Sequence, residues 1–237
     1  MELLWEGLRQ ALVLLWRGER EVWQITLLSL QVSGSATLLA LLCGVPLGSF
    51  LALARFPGRT LLVSLINTGM GLPPVVVGLF ISILLWRSGP LGFLDLMYTP
   101  AAMILAQAVI AFPIVAGLTL AAFQTLNPQL GLQLLGLGAS RWQLLWLLAK
   151  EARLPLLAAI MAGFGGAISE VGSVMMVGGN IKGQTRVLTT ATVLETQMGN
   201  FGTAIALGLI LLALSFAVNF LLTQIQQREQ IRWPRPS

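Results

Sequence analysis

The chain has 237 residues, of which 56% are hydrophobic and only 10% are charged, with a formal net charge of +5. A soluble domain of this length needs more charge to cover its surface, so the composition predicts an integral membrane protein. The basic residues form no dense patch with interleaved aromatic side chains, which argues against a nucleic acid partner. Histidine is absent and only one cysteine occurs. We therefore expect no catalytic triad, metal site or cofactor, and not an enzyme.

The first 21 residues (1–21) are predicted to form an amphipathic segment. Glu2 and Glu6 stand where a secretory signal peptide has basic residues. Leucines recur at helical spacing through Met1–Trp16, so we expect a helix that lies at the membrane surface.

Five windows between residues 22 and 227, uncharged except for Glu170 in the fourth, are long enough to cross a hydrocarbon core of about 30 Å. The predicted transmembrane helices lie within Gln24–Ala54, Thr60–Trp86, Met97–Phe123, Leu154–Val177 and Thr203–Leu222. The cysteine, Cys43, falls inside the first span and is expected in the core. An odd number of spans puts the two termini on opposite sides of the membrane.

The lysines and arginines predict the orientation of these spans. The loops that contain Arg55 and Arg141, together with the tail 228–237, carry eight lysines and arginines, against six in the N-terminal segment and the loops that contain Arg87 and Lys182. The first group contains two acidic residues and the second contains six. The positive-inside rule places the more basic loops in the cytoplasm. The N-terminus is then outside the cell and the tail is cytoplasmic.

Proline residues predict bends in the second and third spans. Pro73, Pro74 and Pro113 each remove a backbone hydrogen bond from a span. They are candidate elements of a gate or pore, although ordinary bending explains them equally well because proline is common in transmembrane helices.

Small residues and one carboxylate distinguish the fourth span. Ala162, Gly166, Ser169 and Ser173 are predicted to share one helical face, which allows another helix to approach closely. Glu170 lies in the same span, where an ionised carboxylate costs several kcal/mol unless it is paired or wetted. Ser169, Glu170 and Ser173 are therefore candidate gate or pore residues. The alternative for Glu170 is a hydrogen-bonded node that braces the span.

The segment Gly178–Thr185 has the glycine spacing of a phosphate-binding loop. Gln184 stands where such a loop needs lysine, and the segment follows a predicted transmembrane helix instead of a strand. We do not expect it to bind a nucleotide.

The long cytoplasmic loop 127–153 is predicted to form two short helices. Asn127 is a suitable start for the first helix, and Gly136 and Gly138 favour a break between the two. One face of the second helix carries Trp142, Leu145, Trp146 and Ala149. This helix rests on lipid headgroups or inserts into a groove on a peripheral subunit, and the pattern alone leaves both open.

The loop resembles the cytoplasmic coupling motif of ABC importer permeases in the run Leu137-Gly138-Ala139-Ser140-Arg141-Trp142 and the later Leu154-Pro155. Leu132, Gln133 and Leu134 stand where the family has Glu-Ala-Ala. Sixteen residues separate Gly138 from Pro155, about four more than is usual, or roughly one helical turn. The resemblance implies that the ATPase is contacted by Gly138, Ala139, Ser140, Arg141, Trp142 and Leu145.

Three further stretches, Gly71–Leu79, Ala111–Leu118 and Gly163–Thr192, are similar to permeases of the molybdate, tungstate and sulfate importer group. Within this group, the residue sequence of Gly163–Thr192 is most like that of the tungstate-type permeases. The resemblance implies an all-α, type I permease fold in the inner membrane. It also implies a homodimer that works with two ABC ATPase subunits and an extracytoplasmic binding protein to import an oxyanion.

Two other classes of function remain open from the residues themselves. One is a secondary transporter or channel that works without ATP, which a series of intramembrane ionisable groups would favour and which Glu170 alone does not supply. The other is a structural membrane subunit that anchors its partners and transports nothing.

Overall fold

A computed structural model describes Trp5, Arg9, Val13 and residues 19–231, with side chains as far as residue 227. Most of the predicted helix Met1–Trp16 and the last residues of the tail, 232–237, lie outside these ranges. Between residues 19 and 231 the chain forms ten α-helices and no strand. They are α1 (Arg20–Leu53), α2 (Arg59–Gly69), α3 (Pro74–Leu85), α4 (Pro100–Gln124), α5 (Pro128–Gly136), α6 (Arg141–Glu151), α7 (Arg153–Ile168), α8 (Gly172–Gly178), α9 (Leu188–Gln197) and α10 (Phe201–Ile231).

Three of these helices, α1, α4 and α10, are long and apolar enough to cross a membrane alone. Two further spans are bent pairs: α2 and α3 meet at 103°, and α7 and α8 meet at 56°. The five predicted spans are confirmed when each bent pair counts as one span.

Helix α4 lies at the centre of the bundle and contacts α1, α2, α3, α7 and α8. Its approach to α1 is close because α1 presents glycines there. A Cβ atom placed on Gly48 would lie 2.5 Å from the carbonyl oxygen of Ala116, and one on Gly44 would lie 3.0 Å from Val115 Cγ1. Small residues that let two backbones approach are the usual means of packing helices in lipid.

Contacts at the two ends of the bundle show which loops lie together. At one end, here called the Lys182 end, Lys182 Nζ lies 2.6 Å from a carboxylate oxygen of Glu21 at the start of α1. At the other, here called the hairpin end, the Gln226 side chain donates to the carbonyl oxygen of Leu154, 3.2 Å away, in the first turn of α7. Both contacts agree with the grouping of loops that the charge pattern predicted.

One detail of the predicted spans is wrong, since Cys43 is exposed on the outer side of α1 instead of buried in the core. The bend predicted at Pro73 and Pro74 is confirmed, because the second span turns by 103° between Gly69 and Pro74. Pro74 is the first residue of α3, so its missing N–H group costs nothing there. Helix α4 runs through Pro113 as one helix.

Helix α9 lies in a segment that was expected to be a loop. Its first N–H group, on Leu188, donates to Ser29 Oγ on α1 over 2.8 Å. Its start is also capped locally, since the Val187 N–H donates to Thr190 Oγ1. These bonds fix α9 inside the bundle although its threonine-rich sequence has low helix propensity.

Candidate coupling hairpin and bent-span joint

Helices α5 and α6 form a helical hairpin whose ends are set by local hydrogen bonds. Asn127 Oδ1 accepts from the Gln129 N–H at 2.9 Å and caps α5. Ser140 and Gln143 form a capping box at the start of α6, in which each side chain accepts from the other residue's N–H. Both caps satisfy N–H groups that have no partner within the helix.

Gly138 makes the turn between the two helices. Its φ angle is +85°, in the left-handed region that favours glycine, and nothing lies within 4 Å of the position that a Cβ atom would take. The next residue, Ala139, donates its N–H to the Leu134 carbonyl oxygen at 3.1 Å, which ends α5. The predicted break is confirmed at Gly138.

The inner face of the hairpin packs on the end of α4. Leu148 and Ala152 form one buried cluster with Ala122 and Phe123 of α4. Partly buried side chains from both hairpin helices complete this cluster: Leu130, Leu134, Leu144 and Ala149. The hairpin is therefore attached to the transmembrane bundle by an apolar contact.

The side of the hairpin turned away from α4 exposes a group of apolar side chains, and we call this group the hairpin outer face. Five large apolar side chains are largely exposed there: Leu137 (84%), Trp142 (80%), Leu132 (72%), Trp146 (64%) and Leu135 (47%). The Lys150 ammonium lies 5.3 Å from the centre of the Trp146 ring. The predicted face is thus divided, since Leu145 and Ala149 are half-buried while the two tryptophans are exposed.

Among the coupling candidates, Gly138 and Ala139 form the turn, Ser140 caps α6, and Arg141, Trp142 and Leu145 lie in its first turns. The structure therefore brings all six together in one short segment. Leu132, Leu135 and Trp146 were not among those six, although Trp146 lies on the helix face that the sequence indicated. No local signal distinguishes Leu132 and Leu135 from the other leucines of the loop.

Glu170 lies in the break between α7 and α8 and is 7% exposed. Its Oε1 atom accepts from the Ser173 N–H at 2.9 Å, and its main-chain carbonyl oxygen accepts from Thr189 Oγ1 of α9 at 3.1 Å. The carboxylate thus satisfies a free N–H group at the start of α8. This geometry is that of a hydrogen-bonded node. Thr189 was missed from the sequence because its segment was not expected to enter the bundle.

The face predicted for the small residues of the fourth span is interrupted by this break. Ser169 is exposed, and its hydroxyl donates to the Gly165 carbonyl oxygen at 2.8 Å. Ser173 is fully buried, and a Cβ atom on Gly78 of α3 would lie 2.7 Å from its Cα. The 56° bend turns the two serines to different surroundings.

The breaks in the two bent spans meet. A Cβ atom on Gly172, at the start of α8, would lie 2.8 Å from Val75 Cγ2, one residue after Pro74. On the α2 side of the α2–α3 break, a Cβ atom on Gly69 would lie 2.8 Å from Pro113 Cβ. Pro74, Pro113 and the α7–α8 break therefore surround the same region of the bundle.

The segment Gly178–Thr185 folds as a loop that satisfies itself. Thr185 Oγ1 accepts from the Ile181 N–H at 3.0 Å and donates to the Gly178 carbonyl oxygen. The hydroxyl that a phosphate-binding loop needs for its ligand is thus used by the loop's own backbone. Helix α8, and not a strand, precedes the loop.

These features can be compared with those of known proteins. A family model for binding-protein-dependent transport system inner membrane components matches residues 44–231. The chain belongs to this family. It is 42% identical over 227 residues to the tungstate uptake system permease protein TupB of Peptoclostridium acidaminophilum, with 96% of this chain and 100% of that protein covered. It is 31% identical over 209 residues to the molybdenum transport system permease protein ModB of Escherichia coli K12, with 81% and 91% covered.

Among solved structures, the fold is similar to a chain of the MetNI methionine ABC transporter in an inward-facing conformation. The TM-score is 0.72 at 19% sequence identity, with 91% of this chain and 97% of that chain covered. At this identity the likeness shows the fold alone. The predicted all-α, type I permease fold is confirmed, and the protein is an inner-membrane component of an ABC transport system.

Proposed function

We propose that this chain is the membrane-spanning permease subunit of an ATP-driven importer for an oxyanion, with tungstate as the first candidate. It works as a homodimer with two cytoplasmic ABC ATPase subunits, which bind and hydrolyse the ATP, and with an extracytoplasmic binding protein. The chain itself forms the path across the membrane and catalyses no covalent reaction.

The observation that carries the proposal is the hairpin outer face. An interfacial helix that only rests on lipid needs one apolar side, and the inner face already buries that side against α4. The exposed leucines and tryptophans lie on the opposite side, where a groove on a partner would cover them. Exposed apolar clusters of this kind mark sites of protein or membrane contact.

The hairpin end faces the cytoplasm in this proposal, because Arg55, Arg141 and Arg153 belong to it. The Lys182 end then faces the binding protein, and the tail is cytoplasmic.

The candidate gate lies where the breaks in the two bent spans meet. Backbone that is not helical is tolerated at membrane depth only where protein buries it or a water-filled cavity borders it. Alternating access would change the packing in this region, which contains Pro73, Pro74 and Pro113 on one side and Ser169, Glu170 and Ser173 on the other.

Tungstate is the first substrate to test because the relative that is 42% identical over nearly the whole chain is named a tungstate uptake permease. The chain is reconstituted in proteoliposomes with its ATPase and binding protein, and accumulation of tungstate, molybdate and sulfate is measured with and without ATP. We expect ATP-dependent accumulation with tungstate preferred.

Accumulation of another oxyanion would change the substrate and keep the mechanism. Flux of equal size without ATP would contradict the proposal and favour a secondary transporter or channel.

A further inference from the structure

The hydrogen bonds at the α7–α8 break carry an inference about how the permease transmits movement. Among the described residues, Glu170 is the one charged residue that is buried. A carboxylate in this position is stable only when fixed donors satisfy it, and the Ser173 N–H at 2.9 Å is such a donor. A buried carboxylate has a desolvation cost that an apolar side chain does not have, so packing alone does not explain a carboxylate here.

Glu170 joins three helices through two different atoms. Its carboxylate holds the start of α8, and its carbonyl oxygen holds Thr189 in the first turn of α9. Helix α9 is in turn attached to α1 through the Leu188 N–H and Ser29 Oγ. Movement of α7 relative to the break therefore acts on α8, α9 and α1 together.

The other end of α7 continues directly from the coupling hairpin. Only Ala152 separates α6 from α7, and Ala152 is itself part of the cluster that attaches the hairpin to α4. At the far side of the break, α8 packs on α3 with no room for a side chain at Gly78. A displacement of the hairpin thus reaches the Lys182 end through one continuous segment with a single joint in it.

We infer that Glu170 is a positioning residue, which holds the α7–α8–α9 joint so that movement of the hairpin at one end opens or closes the other. The inference rests on the proposed function and names a residue on which coupling depends. Glu170 needs no contact with the transported ion. It acts through the hydrogen bonds that its carboxylate and its main-chain carbonyl oxygen accept from Ser173 and Thr189.

The test measures two quantities in the reconstituted transporter: ATP hydrolysis and the ions accumulated per ATP hydrolysed. The variants are Glu170→Ala, Glu170→Gln and Thr189→Val. The matched control is Glu195→Gln, which changes an exposed carboxylate whose side-chain partner is Asn200.

We expect Glu170→Ala to keep ATP hydrolysis and to lower the ions accumulated per ATP by about tenfold or more, since it removes a hydrogen bond to a charged group. Glu170→Gln keeps an acceptor oxygen for Ser173 and restores most of the coupling. Thr189→Val conserves volume, removes the donor to the Glu170 carbonyl oxygen, and uncouples partly. Glu195→Gln behaves as the wild type.

Full coupling in Glu170→Ala and Thr189→Val would overturn the inference while leaving the proposed function intact. Loss of coupling in Glu170→Gln as complete as in Glu170→Ala would also overturn it, because charge and not hydrogen bonding would then matter. If Glu170→Ala fails to assemble with the ATPase, the ions accumulated per ATP by Thr189→Val decide whether the inference stands. A wild-type transporter without ATP-dependent uptake would instead refute the proposed function.

Discussion

At the scale of single residues, the distance between α3 and α8 depends on Gly78. This glycine is buried, and its place against Ser173 leaves no room for a methyl group. Helices in lipid gain no hydrophobic driving force from meeting each other, so a close backbone contact of this kind supplies van der Waals attraction that a larger residue would remove.

We expect Gly78→Ala to destabilise the protein by about 1–3 kcal/mol, because the added methyl group overpacks a contact made by the Ser173 backbone. The measurement is the unfolding free energy in detergent micelles. The control is Gly34→Ala in α1, where nothing lies within 4 Å of the added atom. Equal stability of the two variants would show that α3 and α8 are not in close contact.

At the scale of elements, the orientation of α5 relative to α6 depends on the turn at Gly138. A Cβ atom at this position meets no neighbour, so a substitution acts through backbone strain alone. The left-handed conformation costs a residue other than glycine about 1–2 kcal/mol, and it costs a β-branched residue more.

We expect Gly138→Val to change the turn, to abolish ATPase association and ATP-dependent uptake, and to leave membrane insertion unaffected. Pull-down of the ATPase and uptake in vesicles measure the effect. Gly131→Val in the middle of α5 is the control, since it adds the same side chain where nothing lies within 4 Å of its Cβ atom but at an ordinary helical φ angle. Normal uptake by Gly138→Val would refute the role of the turn.

The helical elements were largely predictable, and so was the position of two breaks, but the bend angles were not. Five apolar windows gave the spans, Pro73 and Pro74 gave the break in the second span, and the Asn127 and Gly138 signals gave the hairpin. Length, capping, proline and left-handed turns are local properties. The 103° and 56° bends depend on contacts between distant segments, such as Gly69 with Pro113 and Gly172 with Val75. Sequence spacing contains no information on such pairs.

The candidate site was predictable in part for the same reason. Glu170 attracts attention as the carboxylate in an apolar span, and one of its two interpretations, a hydrogen-bonded node, agrees with the structure. Its partner Thr189 lies in α9, which the sequence did not indicate because threonine is a poor helix former. Two hydrogen bonds hold that segment in the bundle: the Thr189 hydroxyl donates to the Glu170 carbonyl oxygen, and the Leu188 N–H donates to Ser29 Oγ.

At the scale of the whole molecule, the hairpin outer face is apolar, while the Lys182 end carries both a group of ion pairs and exposed apolar side chains such as Phe93 and Trp86. Glu21 lies near both Lys182 and Arg186 at the Lys182 end. The hairpin outer face consists instead of leucines and tryptophans, which suit a permanent partner better than a transient one.

The most direct measurement is ATPase association and ATP-dependent uptake in a variant that carries Trp142→Ser and Trp146→Ser. We expect the affinity for the ATPase to fall about tenfold or more, because exposed tryptophans at a contact surface contribute most of the binding free energy, and uptake to fall with it. Trp86→Ser is the control, since Trp86 is similarly exposed but follows α3 at the Lys182 end. Undiminished association and uptake in the double variant would contradict the account, because the hairpin outer face would then not be the surface that couples this permease to ATP.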